Sequence, residues 1–286
     1  MMLQDLKSNF KKALVGLYPD TEIEVFFYRL TEHKLGLKRI DLALNQLLTC
    51  DDFTNLFFED ALTRLKNYEP IQYILGATEF YSLPFKVDRN VLIPRPETEE
   101  LVDWILETTK NQKQIAKTIK ILDIGTGSGC IAVALAKNLP QAEVWALDIS
   151  KNALNIARQN ADLNEVSIRF IEANILTLET LSTKFDVILS NPPYVKQAEK
   201  LLMKPNVLNH EPHLALFVNN ENPLIFYDKI ADFAKTNLSS DGTLFFEINQ
   251  YFGAELSALL KQKGFTNIEL KQDLFKVDRM VKAWGK

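Results

Sequence analysis

The sequence predicts an α/β protein, a doubly wound and mainly parallel sheet with a small helical domain at the N-terminus. Three observations carry this. After Lys120, short apolar or β-branched runs alternate with helical segments, as βα units in a parallel sheet require. A glycine-rich stretch, Gly125 to Gly129, falls between the first such run and the helical segment after it, where doubly wound folds hold their ligands. Over the first seventy residues, apolar positions recur at steps of three and four, which is helical spacing.

At 286 residues the chain has room for about two domains. With 47% hydrophobic and 24% charged residues, and only 10 Gly and 11 Pro, it can bury a sizeable core, which excludes disordered and collagen-like chains. No apolar run reaches the roughly 18 residues of a membrane span, and Met1 to Lys12 carries charges throughout, unlike a signal peptide. A cytoplasmic protein is expected. Two cysteines and three histidines cannot build a disulfide scaffold or a Cys-rich zinc site. A net charge of −4 argues against a dedicated nucleic-acid binder, although a local basic patch can hide in that sum.

Residues 1–69 read as a helical bundle. Leu3, Leu6, Phe10, Leu14 and Leu17 share one helical face, and Pro19 is expected to end the run. Thr21 and Glu24 have capping-box spacing for a second helix, whose stripe of Ile23, Phe26, Phe27 and Leu30 runs out near Gly36. Further helices are expected over Arg39–Leu48 and Asp51–Asn67. No titratable cluster or glycine-rich turn stands out here, so docking or substrate selection is the expected role.

Residues 70–96 read as a hairpin linker. Phe80, Tyr81, Phe85, Val87, Val91, Leu92 and Ile93 are interrupted by Pro84 and by Asp88-Arg89-Asn90. Residues 97–286 then form the sheet domain. Pro94-Arg95-Pro96 leads into a helix expected to start at Glu97, with carboxylates in its first turn. Strands are expected at Ile119–Ile124, Glu143–Leu147, Ser167–Glu172, Phe185–Leu189, Thr243–Ile248 and Asn267–Lys271. Helices are expected at Cys130–Lys137, Ser150–Leu163, Leu224–Asn237 and Ala254–Lys263.

Three features carry chemistry. In Leu122-Asp123-Ile124-Gly125-Thr126-Gly127-Ser128-Gly129 the glycines allow a tight turn and a close approach of backbone to ligand. Cys130 stands where a dinucleotide fingerprint needs its third glycine, and no phosphate-binding P-loop occurs. Alone, the loop fits either a cofactor site or a purely structural turn. Asp148 follows Asp123 by 25 positions, where an acid can accept from ribose hydroxyls or cap the helix that follows. Asn191-Pro192-Pro193-Tyr194 comes directly after Phe185-Asp186-Val187-Ile188-Leu189-Ser190. Its prolines lack N–H groups and hold the chain extended, leaving its carbonyls free of helix formation. If that strand lies beside the first, both loops face one crevice.

Together the Asp-Ile-Gly-Thr-Gly-Ser-Gly loop, the acid ending the next strand and Asn-Pro-Pro-Tyr resemble the class I methyltransferases that use S-adenosylmethionine. More narrowly, Pro70 to Gly76, Val91 to Glu99 and Asp278-Arg279 are similar to the peptide chain release factor N5-glutamine methyltransferases, the Pro-Arg-Pro-Glu-Thr-Glu stretch being the most specific mark. The resemblance implies a seven-stranded sheet. It also implies methyl transfer from S-adenosylmethionine, leaving S-adenosylhomocysteine, to the side-chain nitrogen of the glutamine in the Gly-Gly-Gln loop of release factors, a step in translation termination.

The roles it implies are as follows. The Asn191 side-chain oxygen and the Pro192 carbonyl accept the two amide protons, and Tyr194 packs the substrate. Pro193, Arg95 and Glu97 border the substrate. Gly125, Thr126, Gly127, Ser128 and Gly129 approach the methionine and ribose, Asp148 binds the ribose, Asn174 and Ile175 border the adenine, and Asn191 also touches the cofactor. No general base is assigned. The chain departs from the family at Asn174, where Asp is usual, and at Ser82, Asn219 to Asn222 and Asn249, where glycine is usual; asparagine tolerates positive φ. His210 and His213 flank Glu211-Pro212 without the helical zinc spacing, so no metal is expected. Cys130 reads as small-residue packing. The expected partners are release factors, with no membrane and no direct nucleic-acid substrate, the enzyme acting as a monomer. The rivals are an N6-adenine or other nucleobase methyltransferase, since that amine is also a planar NH2, and a non-enzymatic adaptor.

Overall fold

Leu3, Leu6, Phe10 and Leu14 are buried along one face of α1 (Leu3–Leu14). The computed structural model describes residues 1–44, 48–111 and 118–285. The spacing expected for α1 holds, but the helix stops short of Leu17, which stays 38% exposed because the chain leaves helical geometry at Val15. Pro19 therefore does not terminate this helix; it precedes α2 (Asp20–Leu35) as its N-cap. Since α2 starts at Asp20, Thr21 is already helical, and no side-chain cap is made with it. Gly36 closes α2 in the left-handed conformation, donating to the Glu32 carbonyl.

The third expected helix appears as α3 (Arg39–Leu44); residues 45–47 of it lie outside the described residues. Asp51 caps α4 (Asp52–Lys66), accepting from the Thr54 N–H at 2.7 Å. Pro70 to Gly76, expected to open the hairpin linker, folds instead as a short helix, α5 (Ile71–Leu75). Ile71 and Ile74 bury themselves with the α1, α2 and α4 side chains, around Phe10, Phe27 and Phe58. Phe10 meets Phe27 and Phe58 edge-on, with centroids 5.6 and 6.2 Å apart.

The chain divides into one compact unit of residues 1–76 with 204–210 and another of residues 77–203 with 211–286. The expected 70–96 linker is thus split at Gly76. Its first turn joins the helical core, while Phe80 and Phe85 of the hairpin are buried in the sheet unit.

In the sheet unit, β1 (Ala77–Phe80) and β2 (Leu83–Lys86) form an antiparallel hairpin with Phe80 opposite Leu83. The two turn residues, Tyr81 and Ser82, take φ of 53° and 57°, the geometry that matches strand twist in a two-residue hairpin loop. Side chains of α6 (Pro96–Asn111) hold that turn: Glu99 accepts from the Tyr81 N–H at 2.7 Å, and Asp103 accepts from its hydroxyl at 2.6 Å. This helix begins at Pro96, one residue before the expected Glu97, because proline suits the first helical position.

The next six elements follow the expected alternation. They are β3 (Lys120–Ile124), α7 (Cys130–Asn138), β4 (Glu143–Asp148), α8 (Lys151–Leu163), β5 (Ile168–Glu172) and β6 (Phe185–Ser190). After β7 (Val195–Lys196) and α9 (Pro205–His210) come α10 (His213–Leu216), β8 (Phe217–Val218) and α11 (Ile225–Asn237); of these, the short β7, α9, α10 and β8 were not among the expected runs. The last are β9 (Leu238–Glu247), α12 (Gly253–Gln262), β10 (Asn267–Gln272) and β11 (Asp278–Trp284).

Seven strands form one sheet in the order β10-β11-β9-β6-β3-β4-β5, with β11 antiparallel to both neighbours and β3, β4, β5, β6 and β9 parallel. β9 starts at Leu238 rather than Thr243 because Leu238 pairs with Phe185 ahead of a bulge. β11 had no counterpart among the apolar runs. Asp278, Arg279 and Lys282 break its pattern, yet Met280, Val281 and Ala283 are fully buried between β9 and β10.

Side chains alternate between the sheet's two faces. Ile121, Val187, Leu189 and Phe245 pack with α6 and α7, while Leu122, Ile188, Leu244 and Phe246 pack with α11 and α12. β6 runs beside β3 with Ser190 opposite Ile124. The glycine loop and the Asn-Pro-Pro-Tyr segment therefore leave adjacent strand ends on the same edge of the sheet.

Candidate active site

The glycine loop is pinned by the neighbouring strand: the N–H groups of Gly125 and Thr126 both donate to the Leu147 carbonyl, at 2.7 and 3.0 Å. Gly125 and Gly127 have φ of 74° and 54°, and a Cβ on either would meet nothing within 4 Å. They leave open space that a ligand can enter against bare backbone. Over these strand ends lies a cavity of about 320 Å³. Its wall includes Arg95, Thr98, Gly125, Thr126, Gly127, Ser128, Asp148, Asn174, Ile175, Asn191, Pro192 and Pro193.

Three residues expected at the site are not on that wall: Gly129, Glu97 and Tyr194. Gly129 has a different reason to be glycine, since its Cβ would lie 3.0 Å from the Ala157 Cβ where α7 passes α8. Glu97 is half-buried, and its charge raises the carboxyl pKa of Glu247. Tyr194 packs against the core cluster of Tyr227 and Phe246 and aims its hydroxyl at Glu247 Oε1, 3.4 Å away; burial pushes its phenol well up.

Asp148 is not the cap of α8. Ser150 fills that role, its Oγ accepting from the Ala153 N–H at 3.2 Å. Asp148 instead accepts from the Gly127 N–H at 2.9 Å and from the Ser150 N–H at 2.8 Å. A carboxylate offers about four lone-pair positions, so this one fixes the loop and keeps acceptor capacity for a ligand. Burial raises its pKa, opposed by those backbone donors. Asp123, buried behind the loop, accepts from the Thr126 hydroxyl at 2.6 Å, and burial pushes its carboxyl up to about 7. Its signal in the sequence is an acid inside an apolar strand.

Asn174 accepts from the Leu176 N–H at 3.0 Å through Oδ1, which leaves that oxygen one lone pair, and Ile175 supplies an apolar surface. Of the other departures, Asn219, Asn220 and Asn222 take no positive φ. Asn220 instead accepts from the Ala198 N–H at 3.0 Å, and Asn249 turns its chain by accepting from the Tyr251 N–H at 3.1 Å.

At the end of β6, the Ser190 hydroxyl donates to the Ile124 carbonyl at 2.7 Å, locking the two strand ends together. Asn191 donates through Nδ2 to Thr98 Oγ1 at 3.4 Å, and Thr98 donates to Glu247 Oε2 at 2.6 Å. Thr98 and Glu247 were not singled out from the sequence. A carboxylate following Phe245-Phe246 in an apolar strand was the available signal. Arg95 is paired with Glu211 at 2.5 Å, and the other Glu211 oxygen accepts from the Ile93 N–H at 3.3 Å. The Glu211 side chain is 1% exposed, so the acid between the two histidines serves to anchor the Pro94-Arg95-Pro96 segment.

His210 donates to the Asn67 carbonyl at 2.8 Å, whereas His213 lies edge-on to Phe217. No group of three or more His, Cys, Asp or Glu residues is placed to hold a metal among the described residues. The Cys130 thiol is pushed up to about 12 by burial, the opposite of an activated nucleophile. No described helix is long and apolar enough to cross a membrane.

Residues 5–76 match the family described as the PrmC N-terminal domain, and residues 103–214 match the Methyltransferase small domain. Among solved structures, the hMettl16 catalytic domain is similar with a TM-score of 0.58 at 19% identity, covering 77% of this chain and 83% of that one. The human methyltransferase 10 domain containing protein gives a TM-score of 0.53 at 19% identity, covering 72% and 90%. These show the fold. A release factor glutamine methyltransferase of Flavobacterium psychrophilum is 52% identical over 283 residues, 99% of each chain. Its counterpart in Bacteroides thetaiotaomicron is 39% identical over 274 residues, 96% of each. With that identity running through both the helical unit and the cavity-bearing sheet unit, the chain belongs to the release factor glutamine methyltransferase family.

Proposed function

We propose that this enzyme methylates the side-chain amide nitrogen of the glutamine in the Gly-Gly-Gln loop of peptide chain release factors, using S-adenosylmethionine, with Asn191 and Pro192 as the groups that hold the amide. The observation that carries the assignment of residues is the single cavity shared by Asn191 and Pro192 with Gly125, Gly127 and Asp148. The residues fit the cofactor: bare backbone at Gly125 and Gly127 leaves room for close approach, Asp148 retains lone pairs for ribose hydroxyls, and Ile175 gives an apolar face for a base. When bound, S-adenosylmethionine supplies an electrophilic methyl group on a sulfonium.

A primary amide nitrogen is a poor nucleophile because its lone pair is delocalised into the carbonyl. The chain's contribution is therefore placement. Asn191 Oδ1 and the Pro192 carbonyl each accept one amide proton, which fixes the plane of the NH2 and turns its nitrogen toward the glycine-loop end of the cavity. Orientation of this kind contributes about 7–11 kcal/mol in favourable cases. Glu247 is off the cavity wall, and its oxygens face Thr98 and Tyr194, so it is no general base; the departing proton goes to water. The helical domain, expected over residues 1–69, is assigned to docking the release factor, because an isolated glutamine offers little binding energy to spend on orientation.

Incubating the enzyme with methyl-labelled cofactor, release factor and nucleic acid in separable fractions tests this. Label should reach the loop glutamine and vanish when that glutamine is replaced by Asn, which withdraws the nitrogen by one methylene. Efficient labelling of DNA or RNA with release factors untouched would establish the nucleobase reading instead.

A further inference from the structure

Asn191 has a side-chain amide whose two ends are nearly identical in shape, so packing alone cannot decide whether oxygen or NH2 faces the substrate. Hydrogen bonding has to decide it. The wrong choice would set donor against donor, since the glutamine presents an NH2.

The structure contains a chain that makes the decision. Asn191 Nδ2 lies 3.4 Å from Thr98 Oγ1 on α6, and Thr98 Oγ1 lies 2.6 Å from Glu247 Oε2 at the end of β9. A threonine hydroxyl has one proton to give. With Glu247 ionised, and so only an acceptor, that proton is committed to it, and Thr98 offers Asn191 nothing but a lone pair. The amide then has to turn its NH2 toward Thr98 and its Oδ1 away.

We propose that Glu247, acting through Thr98, is the positioning residue that orients the Asn191 amide so that Oδ1 is presented to the glutamine NH2. The proposal rests on the reading of Asn191 as the acceptor given above and adds two residues to it, neither of which has to touch the substrate glutamine.

The groups around Glu247 are few. From α6 come Thr98 and the charge of Glu97; from α7, the Cys130 thiol; from the segment after β6, the Tyr194 hydroxyl; from β11, the charge of Arg279, itself paired with Asp273 at 3.1 Å. From α11 the Tyr227 hydroxyl takes the Glu247 main-chain carbonyl at 3.1 Å. Burial and Glu97 raise the Glu247 carboxyl, whereas Thr98, Arg279 and Tyr194 oppose the rise. A protonated Glu247 would donate to Thr98, release the Thr98 proton toward Asn191 and reverse the chain. Turnover in the wild type therefore falls on acidification through a step that Thr98→Val lacks.

The test uses the full-length enzyme with release factor as substrate. Thr98→Val, which is isosteric, should lower kcat about tenfold or more, the scale on which loss of one charge-assisted hydrogen bond is felt. Glu247→Gln, whose amide can offer Thr98 either an acceptor or a donor, should lower it by a smaller factor. The KM for release factor, and the cofactor Kd from calorimetry, should stay within about twofold of wild type. Thr98→Ser, which keeps the hydroxyl, should restore most of kcat. In an Asn191→Ala background, Thr98→Val should cost nothing further, because there is no amide left to orient. If Glu247→Gln fails to fold, the two Thr98 variants carry the test. Wild-type kcat in Thr98→Val, or a loss that multiplies with that of Asn191→Ala, overturns the relay and leaves the role of Asn191 standing. Wild-type kcat in Asn191→Ala alone overturns the underlying reading.

Discussion

Asn160 is bonded to both polar groups of the Lys86 main chain: its Oδ1 accepts from the Lys86 N–H at 2.7 Å, and its Nδ2 donates to the Lys86 carbonyl at 3.0 Å. The same Nδ2 also donates to the Ser128 carbonyl at 2.9 Å. Asn160 sits on α8 and is completely buried. One amide thus meets both main-chain groups of Lys86 at the end of the hairpin's second strand, where Asn164 Nδ2 also donates to the Pro84 carbonyl at 2.9 Å, and ties that strand to the glycine loop.

Asn160→Leu should accordingly lower stability by about 2 kcal/mol, because it leaves the buried Ser128 carbonyl and the partly buried Lys86 N–H and carbonyl without this partner. Urea denaturation measures this. A loss under about 1 kcal/mol would mean that water replaces the amide.

Asp148 and Asn191 should separate cleanly in kinetics. Asp148→Ala removes a carboxylate that holds Gly127 and that the proposal gives to the ribose hydroxyls, so cofactor Kd should rise roughly tenfold or more. Asn191→Ala should leave that Kd nearly unchanged and collapse kcat. Calorimetry with initial rates distinguishes them, and an unchanged Kd in Asp148→Ala would reduce that residue to a loop anchor.

The glycines divide into two kinds. Gly127→Ala puts a methyl group into open space at a φ of 54°, costing about 1–2 kcal/mol of backbone strain while obstructing the proposed cofactor cradle, so affinity should suffer more than Tm. Gly129→Ala drives a methyl group to 3.0 Å from the Ala157 Cβ, so Tm should fall whether or not cofactor is present. Thermal melts with and without S-adenosylhomocysteine separate the two.

Asp123 should make stability fall as pH rises. Its folded pKa, about 7, lies above the ordinary 3.8, so between those values the native state holds a proton that the unfolded chain has lost. The contribution is fully present below about 4 and disappears as pH approaches 7, with a limiting slope of about 1.4 kcal/mol per pH unit. Urea titrations across pH 4.5–7 should show the wild-type curve falling relative to Asp123→Asn; parallel curves would show that Asp123 is ionised in the fold throughout.

The amino-acid sequence by itself determined the alternation of strands and helices after Lys120, the helical character of the first seventy residues, the glycine loop, and the adjacency of that loop to Asn191 once β6 is placed beside β3. Each of these is written in neighbouring residues: apolar periodicity, prolines without N–H groups and glycines without Cβ atoms act on the chain within a few positions. Only the tertiary structure decided that the charged segment Asp278–Trp284 is an interior strand, that Tyr194 turns from the cavity to Glu247, and that Gly129 answers to Ala157. It also brought Thr98 to Glu247 across 149 positions and Arg95 to Glu211 across 116. Those pairings have no local pattern, because a buried carboxylate takes its partner from whichever element the sheet order and helix packing set against it, and that choice is made only when the whole core closes.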